Sequence, residues 1–144
     1  MSHPGPLISD EVSAADHAFV RKALSRFSDL HTPPRHWRPL HLVIRDTSDR
    51  IIAGLLGNVI WEWLNIDVLW VDDDYRGQGL GSALVGEAER RAIAWGCSRA
   101  RVDTFDFEAR GFYEQLGYEV YGQLDDFPAG HRHFHLQKWL ADSL

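Results

Sequence analysis

Cysteine is almost missing from this chain: Cys97 stands alone, which excludes an internal disulfide and a cysteine-rich zinc site. No apolar run approaches the length that crosses a bilayer. The opening residues Met1-Ser2-His3-Pro4-Gly5-Pro6 lack the basic region and apolar stretch of a signal peptide. These absences predict a cytoplasmic protein with no membrane partner. Positive charge is also in deficit, with 15 Lys and Arg against 21 Asp and Glu and a formal net charge of −6. The arginines form no run, so no nucleic-acid partner is expected. The acidity instead suits a cationic acceptor such as an amine. Repeats, low-complexity tracts and linkers are missing too. What is present is an ordinary globular balance, 44% apolar and 25% charged over 144 residues. It predicts a single domain over residues 1–144, with residues 1–6 as a loose tail.

The chain is organised around Leu69-Trp70-Val71-Asp72-Asp73-Asp74-Tyr75-Arg76-Gly77-Gln78-Gly79-Leu80-Gly81-Ser82. An apolar strand runs into three acids and then into a turn with alternating glycines. Apolar residues then recur at Leu80, Leu84, Ala88, Ala92 and Trp95, one face of a helix. The glycines therefore sit at a helix N-terminus, where backbone N–H groups lack partners and the helix dipole adds positive charge. Such a device holds phosphate oxygens. A Walker loop needs a lysine that is not there, and the alternating glycines do not match the dinucleotide fingerprint G-x-G-x-x-G. The pattern that fits is Arg-x-x-Gly-x-Gly. A glycine-rich turn with no ligand is the plain alternative.

Elements follow in order. Pro6-Leu7-Ile8-Ser9 reads as a short edge strand, and Ser13 as the N-cap of a helix to Phe27. An irregular connection from Ser28 to Pro39 carries His31, His36 and Trp37, either packed in the loop or forming a wall of the acceptor pocket. Strands are expected at Leu40–Arg45, at Arg50–Glu62 with a bulge or close contact at Gly54 or Gly57, and at Trp63–Val71. The tip Trp61-Glu62-Trp63 reads as a packed corner or a pocket edge. A helix from Gly79 to Trp95 precedes a strand Arg99–Phe105, a short helix Glu108–Leu116, and strands Tyr118–Leu124 and His131–Leu140.

A second block, Ala109-Arg110-Gly111-Phe112-Tyr113-Glu114-Gln115-Leu116-Gly117-Tyr118, follows the glycine loop at about thirty residues. Together the two blocks resemble the GCN5-related N-acetyltransferases (GNAT), over roughly Arg50 to Leu140. The resemblance implies a mixed, mostly antiparallel twisted α/β sheet flanked by helices, with two neighbouring strands that splay apart. It implies acetyl-CoA as co-substrate and no metal. It places cofactor contacts on Leu69, Trp70 and Val71, on the backbone of Arg76, Gly77, Gln78, Gly79, Leu80, Gly81 and Ser82, and on Phe112 and Tyr113. Asp106 occupies a position where many members carry asparagine against the cofactor arm.

In that family a tyrosine matching Tyr113 protonates the departing sulfur, and a strand carboxylate works through water as base. Strand alternation groups Asn65, Asp67, Leu69 and Val71 on one face, so Asp67 is the first candidate base and Glu62 the second. Asp67 also suits a plain hydrogen-bonding role in the sheet. Asp72, Asp73 and Asp74 read as a solvated turn. His131, His133 and His135 alternate and share a face, a geometry zinc accepts, but no fourth ligand is evident. Cys97 reads as structural. The expected reaction is direct attack of a primary amine, on a small molecule or a peptide, within a ternary complex. A non-catalytic acyl-CoA-binding domain is the alternative, and a homodimer is compatible with the family.

Overall fold

The computed structural model describes residues 5–140, so most of the expected N-terminal tail, residues 1–4, lies outside the described residues. The chain divides between Pro34 and Arg35 into two compact units. The first carries α1 (Ala14–Asp29). The Ser13 hydroxyl accepts from the Asp16 N–H at 3.0 Å while the Asp16 carboxylate accepts from the Ser13 N–H at 3.1 Å. This reciprocal capping box starts the helix and is worth about 1 kcal/mol. The edge strand expected at Pro6–Ser9 does not form, and Leu7 and Ile8 are exposed. Four residues bounded by proline offer too little ladder to hold an edge.

The second unit is a six-stranded sheet in the order β1-β2-β3-β4-β6-β5. Its strands are β1 (Arg38–Arg45), β2 (Ile51–Ile60), β3 (Trp63–Val71), β4 (Arg99–Phe105), β5 (Glu119–Asp125) and β6 (Arg132–Trp139). Only β3 and β4 pair in parallel, so the sheet is mixed and mostly antiparallel, as expected. β3 and β4 have the bounds read from the sequence. β1 starts earlier, at Arg38, because Pro39 is tolerated on an edge strand. The final strand is interior: β6 lies between β4 and β5, and β5 forms that edge.

Helices α2 (Leu80–Ala94) and α3 (Arg110–Gln115) join one face of this sheet. Leu84, Val85, Ala88 and Ala92 of α2 are buried in one core cluster with Leu55, Leu64, Ile66, Phe134 and Leu136 of the strands. Each such large side chain contributes about 1.5–3 kcal/mol by leaving water. Cys97 joins this core, and burial together with the charge of Glu62 pushes its thiol pKa up, away from the reactive thiolate.

One irregularity decides how the site is built. Leu56 of β2 pairs with Val68, but the next residue, Gly57, pairs with Ile66, so Asp67 has no partner and is a bulge. An extra residue reverses the side-chain alternation. Leu64, Ile66, Leu69 and Val71 all oppose the core-facing residues Val59, Gly57, Leu55 and Ala53. Asn65, Val68 and Trp70 lie on the other face. The grouping of Asn65 and Asp67 with Leu69 and Val71 is therefore corrected: the bulge puts the two pairs on opposite faces. Gly57 is where the strands come closest, since a Cβ there would run into the Asn65 carbonyl.

Candidate active site

The parallel pairing of β3 with β4 covers only Trp63↔Arg99 to Ile66↔Val102. Beyond it β3 continues to Val71 and β4 to Phe105 without pairing to each other, so a gap opens between them. Backbone groups of β3 on the gap side are left without a ladder, which is costly unless a ligand or water meets them.

The glycine loop stands at the end of β3. Asp72 accepts from the Asp74 N–H at 2.9 Å and Arg76 pairs with Asp73 at 3.0 Å, which folds the three acids into a short turn. Gly79 is the N-cap of α2, with φ +79°, and supplies no side-chain cap. Gly77 has φ +78°, and the space where a side chain would stand on either residue is open. Only glycine adopts these angles without strain while leaving that space free. The first backbone bond of α2 runs from Ala83 N–H to the Gly79 carbonyl. The N–H groups of Leu80, Gly81 and Ser82 have no acceptor among the described residues. They are the unpaired, dipole-polarised donors of a helix start.

These donors face a cavity of about 280 Å³ lined by Val71, Tyr75, Arg76, Gly77 and Phe112 together with the residues from Gly79 to Ser82. A second cavity of about 460 Å³ shares Val71, Arg76, Gly81 and Phe112 with the first, so the two are continuous. It runs along Leu69 and Trp70 to Phe107, Glu108 and Ala109. A Cβ on Gly81 would stand 3.2 Å from the Phe112 ring, so glycine lets the two walls meet. The result is an anion-binding loop opening into a channel along the β3 side of the gap. The residues fit a long ligand with a phosphate end.

Tyr113 belongs to α3 and lines neither cavity. Its ring is 3% exposed, set edge-on to Phe112 at 5.1 Å and to Tyr118 at 5.6 Å. Its hydroxyl has no hydrogen-bond partner among the described residues and is not closed off from solvent. Burial of the ring and then the Glu108 charge push that hydroxyl's pKa up, so it keeps its proton. Tyr118 differs, because its hydroxyl donates to Glu89 at 2.7 Å, and Lys138 closes the triad on Glu89 at 2.9 Å.

Other expected residues lie elsewhere. Asp106 turns away from the channel, accepting from the Arg132 N–H at 3.0 Å and facing His131 Nδ1 at 2.9 Å. Its desolvation would raise the carboxyl pKa, but the Arg132 and His131 contacts outweigh that and lower it. Asp67 lies on the β3 lip of the gap, on the face away from α2, with Asn58 Nδ2 at 3.5 Å. Glu62 is at the closed end of the sheet. It lines a separate cavity of about 440 Å³ with His36, Trp37, Arg38 and Trp95, so these two residues of the expected pocket wall, His36 and Trp37, and the tip carboxylate stand away from the gap. Gln78 lines neither channel cavity.

Sequence reasoning missed Phe107, Glu108, Tyr75 and the polar groups of the outer face. On that face Arg101 donates to Asn65 at 3.2 Å and grips both oxygens of Asp103 at 3.2 Å. Asp103 in turn faces His135 Nδ1 at 2.8 Å. The signal available was the strict alternation Arg99, Arg101, Asp103 against His133, His135, Gln137, readable only once β4 and β6 were known to pair.

The model of the acetyltransferase (GNAT) family matches residues 11–118. A blasticidin-S acetyltransferase of Streptomyces morookaense is 42% identical over 127 residues, covering 85% of this chain and 86% of that protein. An acetyltransferase of Agrobacterium fabrum is 29% identical over 124 residues, covering 86% of this chain and 90% of that protein. The crystal structure of an acetyltransferase from Bacillus cereus superposes with a TM-score of 0.87 at 28% identity, over 93% of this chain and 98% of that one. A glycine loop with unpaired amides, a channel beside a split parallel strand pair, and relatives that align over most of their length lead to one assignment: this chain belongs to the GNAT acetyltransferase family and is an N-acetyltransferase.

Proposed function

We propose that the protein moves the acetyl group of acetyl-CoA to a primary amine of a small cationic molecule, by direct attack in a ternary complex. The observation that carries this reading is the row of unpaired N–H groups at Leu80, Gly81 and Ser82, opening onto a channel that follows the β3 lip. Transfer from acetyl-CoA is general in the family. When bound, acetyl-CoA supplies the activated acyl thioester. The loop amides and Arg76 hold its diphosphate by charge and by hydrogen bonds. Leu69, Val71 and Phe112 flank its arm, and the free backbone groups of β3 give that arm a ladder.

Because α2 and the loop occupy one side of the sheet, the acceptor enters from the opposite face. There Asp67 attracts an ammonium group at the lip of the gap. A backbone N–H of β3 polarises the acyl carbonyl, and Tyr113, which keeps its proton, gives it to the departing sulfur. The 42% identical relative is named for blasticidin S, and that compound heads the acceptors to try.

The test is thiol release from acetyl-CoA across an amine panel that includes blasticidin S, with the acetylated product identified by mass. Release that depends on an amine is expected. Firm CoA binding with no amine turned over would instead make this an acyl-CoA-binding domain.

A further inference from the structure

We infer that His135, held by Asp103, is the base that takes the proton from the acceptor amine; this rests on the acetyl-transfer reading above. The chemistry needs a proton acceptor on the outer face, near the point where β3 and β4 separate. The last parallel pair is Ile66↔Val102, so Asp103 is the first residue of β4 beyond it. Asp103 and His135 are register partners and share the outer face.

Four groups on that face near the separation of β3 and β4 can accept a proton, Asp67, Asp103, His133 and His135, and their surroundings separate them. His133 Nδ1 is buried, and neither of its ring nitrogens has a partner among the described residues to fix its tautomer. Asp67 is exposed at the bulge, near Asn58 at 3.5 Å. Asp103 is saturated, with both oxygens on the Arg101 guanidinium and one also on His135 Nδ1. Of the four, His135 is the one with one ring nitrogen held by a carboxylate and the other left as a directed acceptor. Its Nδ1 is fixed on Asp103 at 2.8 Å, while its Nε2 has no partner among the described residues and is open to solvent. A carboxylate at Nδ1 fixes the tautomer with the proton on that nitrogen and leaves Nε2 as acceptor, the arrangement that makes imidazole a directed base.

The ring is held on its other sides. His133 meets it edge-on at 4.9 Å, Tyr121 of β5 lies at 5.9 Å, and Gly122 opposite leaves room beside Cδ2. The charged and titratable groups around it are thus Asp103 and, through it, Arg101 from β4, His133 from its own strand and Tyr121 from β5.

The step balances. An acceptor arriving as ammonium loses one proton to His135 Nε2, and its nitrogen lone pair forms the N–C bond as the C–S bond breaks. The sulfur takes the Tyr113 proton. The second nitrogen proton leaves as the amide forms and returns to Tyr113 through solvent, while His135 releases its proton to solvent, so one proton is released per acetyl group.

The experiment uses the whole chain, acetyl-CoA and the amine panel including blasticidin S. In His135→Gln, kcat should fall by about 10²-fold or more, the scale of a lost general base, with acetyl-CoA affinity unchanged. The acid limb of the wild-type pH–rate profile should go with it, and added imidazole should restore part of the rate to His135→Gly. Nitrogen NMR of the wild type at alkaline pH should show the proton on Nδ1. A His135→Gln rate within about twofold of wild type, with the acid limb kept, overturns the inference, since a base contributes at least about 10²-fold. So does the opposite tautomer. A loss carried by Asp67→Asn in place of His135→Gln overturns it equally. A wild type that binds acetyl-CoA but acetylates no amine removes the acetyl-transfer reading itself, and the base with it, whereas wild-type turnover with an unaffected variant removes the base alone.

Discussion

Tyr113 has a buried ring and a hydroxyl without a partner among the described residues. A core tyrosine normally satisfies its hydroxyl, as Tyr118 does on Glu89, and this contrast within one aromatic cluster is what supports the proposed proton donor. Tyr113→Phe keeps the packing and removes the proton. It should lower kcat by about 10²-fold with little change in acetyl-CoA affinity, read by steady-state kinetics and calorimetry. Unchanged turnover would take Tyr113 out of the mechanism. Asp106 makes a prediction of the opposite kind. Its folded pKa lies below the ordinary 3.8, so its stabilising effect is present above the unfolded value and lost as pH falls through the folded one. The stability gap between wild type and Asp106→Asn, measured by denaturant, should therefore close on acidification. A gap independent of pH would contradict the Arg132 and His131 contacts.

At the scale of elements, the bulge at Asp67 does the most to arrange the site. It turns Leu69 and Val71 toward the helices and the channel beside β3 while Asn65 remains on the outer face. Gly57 sits where the two strands draw together, and the atom in the way of a side chain is backbone that cannot rotate aside. Gly57→Ala should destabilise the fold by about 2 kcal/mol or more, seen as a lower denaturation midpoint, with turnover falling in the surviving protein. A neutral substitution would mean that the strands are not so tightly joined. This element was half legible in the sequence. Gly57 was a visible weak point in a strand, but a bulge is a property of two strands in register, and one strand alone does not carry it. That is why simple alternation put Asp67 on the wrong face relative to Leu69. The glycine loop was legible because its chemistry is local: a strand, an arginine and a helix start specify it in sequence order. The Asp103–His135 pair was not, since residues 32 positions apart meet only through β4–β6 pairing.

At the scale of the molecule, periodic segments marked the strands and helices, and the family resemblance carried by two local motifs implied the mixed sheet that joins them. The strand order was out of reach, because β6 enters between β4 and β5, and only tertiary pairing decides that. Net charge acts at this scale too. With −6 on the chain, a cationic acceptor should be drawn in over distance, so its KM should rise with ionic strength while that of a neutral amine moves less. Equal salt dependence for both would argue against a charged acceptor. The central claim is narrower: the unpaired amides at the start of α2 hold the diphosphate of CoA. Calorimetric titration of CoA into wild type and Gly79→Asp tests it directly. The account predicts saturable binding to the wild type and at least a tenfold loss, about 1.4 kcal/mol, in the variant, where a carboxylate meets the phosphates and a left-handed backbone must carry a side chain. Equal affinity in the two proteins, or none in the wild type, would contradict it.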